Sequence, residues 1–522
     1  VGEDRGTSRP TAGPQRAGGA GTQRVGGQQR GGGSGGTRTA RPATPLLRGL
    51  DAAGGLAALR GLLARPLASY YLLISSAGLL LVIGLTMVFS ATSVKAYAEQ
   101  GNAFAAFTKQ AIFAVIGLVA FWACQRLPAR TFRVLGLPVL GLSVVLLLLL
   151  NLLLAYGSLA DTAPRVGPLE ANLLWLYLGP IQVQPSELAK FGLVLWGADV
   201  IARKGVKLGW WRELATPLFP AVALLFVLVG YNDLGTMLCL LALVVGLLWA
   251  AGVRMRVFAA LSVVGLAGIG LLVAVASLGA GSGEKGEQNY RLARLTMFIK
   301  RPDDCNLADC YQADQARTAI DLGGWFGAGL GQGKLKWDWL PAANNDFIFA
   351  VIAEELGVVG CAVVLALFAV LAYTGLRIAR RVDDPFRRLA AAAVTTWLVS
   401  QAVINIGGVV GLLPITGLPL PFISDGGSAL VVTLAAIGML ASFARAEPDA
   451  ARALHARPPA RWVRLVWAPL PPLPGRRRRP ATPPTARGPV PRSRARQDDD
   501  ETAPRGARTS RTRAGSASER RR

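Results

Sequence analysis

Residues 340–357 read LPAANNDFIFAVIAEELG, and the reading of this stretch decides what kind of chain this is. A polar, helix-breaking approach through Pro341, Asn344 and Asn345 delivers Asp346 to the mouth of an apolar run, and that run carries a second acidic pair, Glu354 and Glu355. Ionisable groups at membrane depth cost roughly 3 kcal/mol each on insertion scales, so they face a bundle interior or a watered cavity. At about 100° per residue, Glu354 lies about 80° round the helix from Asp346 and Glu355 about 180°, so the two glutamates cannot both point where Asp346 points. Two readings of Asp346 stand side by side on these residues. It is a helix N-cap, for which Asp is a favoured type, or it is a functional carboxylate at the edge of a membrane.

Outward from this stretch, the chain has 522 residues, is 52% hydrophobic and carries a formal charge of +25, a combination foreign to ordinary soluble domains. The apolar residues come in long Leu-rich blocks without period-two alternation, which argues for membrane helices and against a β-barrel. The blocks lie near 69–90, 107–125, 134–156, 186–202, 215–230, 234–252, 257–279, 347–373, 389–411 and 428–445. They predict an all-α polytopic membrane protein of about ten transmembrane helices, with a large extracytoplasmic loop between the seventh and eighth. Tyr231-Asn232-Asp233 reads as a loop or as a break within the bilayer. Arg126, Arg130 and Arg133, then Arg203, Lys204, Lys207 and Arg212, then Arg254 and Arg256, then Arg377 to Arg388 mark alternate loops. By the positive-inside rule these loops and both termini are cytoplasmic.

Residues 1–65 read as a disordered basic tail. Its end, between Pro45 and Pro66, is either an amphipathic helix on the membrane surface or a linker. Residues 66–446 form the membrane domain, and 447–522 a second disordered basic tail. Basic tails beside a membrane attract anionic lipid; no folded nucleic-acid-binding pattern accompanies the charge, so nucleic acid is not an expected partner. Deleting both tails is expected to leave the activity of the membrane domain intact. The single histidine, His455, lies beyond the last apolar block, which excludes histidine-based metal sites and Ser-His triads in the membrane domain. Cys124, Cys239 and Cys361 sit in apolar runs as small buried side chains. Cys305 and Cys310 fall in an extracytoplasmic loop, where a disulfide is permitted and expected.

Gln184-Pro185-Ser186-Glu187-Leu188-Ala189-Lys190 opens the fourth block. Proline and an acid suit a first helical turn. Glu187 and Lys190, three apart, share a face. They read either as an internal ion pair that tolerates burial or as a contact to an anionic lipid headgroup. The segment Gly323 to Gly333 lacks the context of a nucleotide loop, so its glycines read as close backbone packing or a flexible lid.

QPSELAK after WLYLGPIQV, NDLGT at 232–236, YQADQARTAI followed by GGWFGAGLGQG, LPAANNDFIFAVIAEELG, and INIGGVVGLLPITGLPLPFISDGGS at 404–428 occur in the order found in SEDS proteins. Over residues 70–445 the chain resembles this FtsW/RodA family, the ten-span peptidoglycan glycosyltransferases of bacterial division and elongation. The resemblance implies polymerisation of lipid II on the outer membrane face. The GlcNAc 4-hydroxyl of incoming lipid II attacks a glycan activated by undecaprenyl pyrophosphate, and a class B penicillin-binding protein acts as partner. The family's essential aspartate falls on Asp346, which would accept or orient the hydroxyl proton. Substrate contacts are implied at Trp175, Gln184, Ser186, Glu187, Lys190, Asp233, Pro414, Ser424, Gly426 and Gly427. The departing pyrophosphate is met by cationic side chains, with or without a divalent cation; no other cofactor is expected.

The chain departs from the family pattern at three places. Leu174 stands where many members have arginine before the tryptophan, leaving Arg165 as a substitute; Asp425 replaces the tyrosine of SYGGS; and Tyr231-Asn232 precedes Asp233. The long basic tails resemble actinobacterial members of the division branch, implying a septal location and division proteins as further partners of the tails. An elongation polymerase, a lipid II flippase and a non-catalytic scaffold are the alternatives. Asp346 is expected at the edge of an extracytoplasmic cavity whose other walls are the Lys190/Glu187 helix and the Pro414–Gly427 loop.

Overall fold

The computed structural model describes residues 63–160, 164–179, 181–204, 211–230, 233–256, 307–337 and 339–473, with isolated positions at 61, 258–260 and 263. The expectations for the N-terminal tail to residue 60, most of the seventh span, Cys305 and the tail beyond 473 lie outside the described residues. The helices are α1 (Ala68–Gln100), α2 (Ala105–Arg126), α3 (Ala129–Ala160), α4 (Pro185–Lys204), α5 (Trp211–Gly230), α6 (Leu234–Ala250), α7 (Leu307–Gly323), α8 (Ile348–Arg381), α9 (Pro385–Val409) and α10 (Gly427–Arg445). Six of them, α1, α2, α3, α8, α9 and α10, are long and apolar enough to cross a membrane, and α5 and α6 carry shorter apolar segments.

The helices divide by what surrounds them. On α2 the apolar side chains Ile112, Val115 and Val119 are exposed, so the helix is apolar on a face that the protein leaves bare. Helix α9 is enclosed, with Trp397 fully buried and α4, α6 and α8 packed around it. Exposed aromatic residues stand at the two ends of the bundle, Trp325, Phe326, Trp337 and Trp339 at one and Trp462 and Trp467 at the other. A bare apolar belt between aromatic rims is the pattern of a bilayer-embedded bundle. The chain is a multi-pass, predominantly helical membrane protein. Its basic loops gather at one end, where Arg133 reaches Asp384 at 2.7 Å and Arg203 reaches Asp199 at 2.6 Å.

Two regions depart from the sequence expectation. Residues 165–183 form a four-stranded antiparallel meander, β1 (Arg165–Val166), β2 (Leu169–Asn172), β3 (Trp175–Leu178) and β4 (Ile181–Val183), in a chain expected to be all-α. The strands are two to four residues long, too short for alternation to show. Gly167 and Gly179, with φ of 61° and 58°, supply the left-handed backbone that tight hairpin turns need. The second region begins at Glu447. Residues expected to be disordered form α11 (Pro448–Ala456) and α12 (Arg461–Val466) and run on against the bundle. Trp122 and Arg126 donate to the carbonyl of Val466 at 2.7 and 2.9 Å, Arg445 donates to Pro469 O at 2.9 Å, and Trp467 Nε1 donates to the Tyr70 hydroxyl at 2.5 Å. The body supplies the partners, which is why the tail alone gave no signal.

Candidate active site

At the end of the bundle opposite the basic loops, two connections meet: residues 340–346, leading into α8, and residues 410–426, joining α9 to α10. Helix α9 presents Gln401 and Asn405, four apart and so on one face. Asn405 Nδ2 donates to Asp346 O at 2.8 Å and to Leu418 O at 2.7 Å. Gln401 Nε2 donates to Pro419 O at 2.9 Å. Both loops therefore hang from one helix face. They are also laced to each other. Ser424 Oγ donates to Asn345 O at 2.6 Å and accepts from Leu420 N at 2.7 Å, Asp425 N donates to Asn344 O at 2.9 Å, and Asn344 Nδ2 donates to Asp425 Oδ2 at 3.1 Å. The sequence reading missed Gln401 and Asn405, although two amides at helical spacing inside an apolar helix were a usable signal.

Asp346 is half-buried in this assembly. Helix α8 begins at Ile348 with Phe347 at the cap position. It lines a narrow crevice with Asn405, Gly408 and the 415–417 backbone. The expectation of an open cavity at Asp346 is corrected in one respect. The two larger spaces lie on other sides of the 341–345 loop. One, of about 540 Å³, lies between that loop, α1 and Lys336. The other, of about 300 Å³, lies between it, α2, the sheet and Asp425.

The other predicted residues separate into those beside open space and those behind it. Trp175 and Gly427 line the smaller of these cavities. Lys190 and Glu187 do not form a wall: their ion pair closes at 2.6 Å with both side chains out of water. Lys190 also donates to Gln401 Oε1 at 2.7 Å, so its charge braces the residue that holds Pro419. Asp233 is buried and accepts from Thr236 N at 2.8 Å as the N-cap of α6. Gln184 N donates to Ser428 Oγ at 3.0 Å, tying α4 to α10, and Ser186 is buried beside Asp233 and Leu174. Ser424 is the staple already described, Gly426 caps α10, and a Cβ at Gly427 would lie 2.6 Å from the Phe113 ring. Pro414 is half-buried, its carbonyl close over Gly408.

A second buried pair was not anticipated. Glu355 accepts from Lys336 Nζ at 2.6 Å, from Ser90 Oγ at 2.7 Å and from Gly331 N at 3.1 Å. Glu354 accepts from Lys334 N at 2.6 Å. The glycine-rich segment reaches these carboxylates because α8 is kinked at Gly357, whose φ is 67°. Ala328 N donates to Glu354 O at 2.9 Å and Val358 N to Gly324 O at 3.0 Å, so the glycines serve close backbone packing. A Cβ at Gly323 would fall 1.8 Å from Ala353 O. Among the described residues no three His, Cys, Asp or Glu side chains gather to hold a metal ion.

A family model described as "Cell cycle protein" (FTSW_RODA_SPOVE) matches residues 70–448. The chain is 40% identical over 412 residues to the probable peptidoglycan glycosyltransferase FtsW of Mycobacterium tuberculosis, across 78% of this chain and 74% of that protein. It is 32% identical over 370 residues to stage V sporulation protein E of Bacillus subtilis, across 70% of this chain and 94% of that one. A solved structure described as "Structural coordination of polymerization and crosslinking by a peptidoglycan synthase complex" superposes with a TM-score of 0.53 at 26% identity, covering 72% of this chain and 96% of that one. The matched segment runs from Tyr70 in α1 to the start of α11 and takes in both site loops, and on that extent the chain belongs to the FtsW/RodA/SpoVE family.

Proposed function

We propose that this chain is a peptidoglycan glycosyltransferase that polymerises lipid II into glycan strands during cell division, together with a class B penicillin-binding protein. The observation that carries the reading is the lacing of the Asp346 loop and the 410–426 loop onto one face of α9, which fixes a carboxylate at the end of the bundle remote from the basic loops. With both termini cytoplasmic and residues 257–279 as the seventh of ten spans, that end faces the cell wall, where the lipid II disaccharide is displayed. The septum is the site of action, and the basic tails meet division proteins on the cytoplasmic side.

In the reaction the 4-hydroxyl oxygen of lipid II forms a bond to the anomeric carbon of the growing strand. The bond from that carbon to the pyrophosphate breaks, its electron pair leaves with undecaprenyl pyrophosphate, and the hydroxyl proton passes to Asp346. In this mechanism the hydroxyl meets Asp346 at the crevice beside Asn405, whose amide donates to the Asp346 carbonyl; Lys190, sealed behind the loop, positions rather than binds. The test is reconstitution of the purified protein with its partner in nanodiscs with labelled lipid II. Glycan strands that disappear in Asp346→Asn support the reading, and lipid II moved across vesicles without strands points to a flippase. Depletion in cells separates division from elongation, giving filaments without septa in the first case and rounded cells in the second.

A further inference from the structure

The cavity of about 300 Å³ beside the Asp346 loop has a lining that the reaction just described does not use. Lys109 at the start of α2, Trp175 and Gln182 of the sheet, Asn344 and Asn345 of the loop, and Asp425 surround it. Several of these groups hold one another in place. Lys109 Nζ donates to Gln182 Oε1 at 2.8 Å, Gln182 Nε2 donates to the Tyr177 hydroxyl at 3.3 Å, and Asn344 donates to Asp425. The volume is at the small end of ligand pockets, enough for one ring rather than a chain.

Resting on the function proposed above, we propose that this cavity is a subsite for one neutral pyranose ring of the glycan, packed on Trp175 and hydrogen-bonded by Gln182, Lys109 and Asp425. The chemistry selects a sugar. The C–H face of a pyranose, positive at its hydrogens, suits the negative face of an indole. The hydroxyls, each both donor and acceptor, match a wall that mixes amides, an ammonium and a carboxyl. One cation faces one acid, so the cavity has no net charge with which to attract pyrophosphate. Desolvation holds the Asp425 carboxyl above its ordinary range, against the pull of Asn344 and Lys109. The cavity shares Asn344 with the larger space on the loop's other face, so a ring bound here lies beside the chain segment that carries Asp346.

The experiment uses the full-length protein with its partner in nanodiscs and tri-N-acetylchitotriose as a soluble probe, read by ligand-observed saturation-transfer NMR, with strand length on lipid II measured in parallel. Wild type and Asp346→Asn should both bind the probe. Trp175→Ala and Asp425→Leu should weaken it roughly tenfold or more, the size of a lost charged hydrogen bond, and shorten the strands. Trp175→Phe, which keeps an aromatic face, should retain binding and controls for loss of folding. Probe binding unchanged in Trp175→Ala and Asp425→Leu, no binding by wild type, or displacement by inorganic pyrophosphate would each overturn the subsite. Wild type that binds the probe but makes no strands would overturn the proposed function and leave the subsite standing.

Discussion

Two lysine–glutamate pairs in this protein close to the same 2.6 Å, and both are out of water. Glu187 and Lys190 lie three residues apart within one helical turn. Lys336 and Glu355 are 19 residues apart and meet only because α8 kinks at Gly357 and the glycine-rich segment folds into the kink. The first pair braces Gln401 behind the loop that ends at α10. The second holds the approach to Asp346 against α1 through Ser90. The local pair is nearly self-contained, whereas the assembled pair depends on backbone and side-chain partners from three segments.

Four measurements break or sharpen this contrast. The largest effect is expected where neither pair is touched. Asp346→Asn should lower polymerisation about 10²- to 10⁴-fold with an unchanged melting temperature, setting the chemical step apart from the scaffold; wild-type rates would remove Asp346 from the reaction. Next, Lys190→Met and Lys336→Met should each cost about 3–5 kcal/mol of stability by leaving a buried carboxylate alone. The double replacements then diverge. Glu187→Leu with Lys190→Met should recover most of the loss, whereas Glu355→Leu with Lys336→Met should not, because the Gly331 N–H and the Ser90 hydroxyl stay unpaired. Equal recovery in thermal unfolding would dissolve the distinction.

The third test extends the contrast to the C-terminal segment. Deleting the tail was expected to leave polymerisation intact while impairing localisation in cells, but only truncation after residue 473 should leave stability unchanged. Truncation after 446 removes the partners of Trp122, Arg126, Arg445 and Tyr70 and should cost about 1 kcal/mol per hydrogen bond lost. Equal melting temperatures for the two truncations would return the segment to a solvated tail. The smallest effect concerns Asp425. Its carboxyl is raised by burial, so between the ordinary carboxylate value and the raised one the folded protein holds a proton that the unfolded chain has released. Stability should therefore fall as pH rises through that window, and Asp425→Asn should flatten the slope; a slope unchanged in the variant would assign it to another group.

What the sequence made legible follows the same division between local and assembled structure. Long apolar blocks announce membrane helices because each satisfies its own backbone, and Glu187 with Lys190 is visible as a spacing. The convergence of the 340–346 and 410–426 loops was expected from the resemblance, but the means of it, Gln401 and Asn405, lies in side chains that meet backbone carbonyls from distant segments. Lys336 looked like one more loop lysine because its partner is fixed by a kink that a single glycine permits. The strands of the sheet are too short to carry a pattern, and α12, at six residues, has no stability apart from the helices beneath it.

The bond between Trp467 and Tyr70 spans 397 residues of chain. At a synthesis rate of roughly 5–20 residues per second, Tyr70 waits on the order of 20–80 s after leaving the ribosome before its partner exists. The N-terminal end of α1 is thus made early and finished last. A nascent chain that stops short of residue 467 carries its membrane helices but leaves the indole of Trp122 and the guanidinium of Arg126 with their carbonyl partners unbuilt. Synthesis through residue 467 is therefore needed before this end of the bundle is closed.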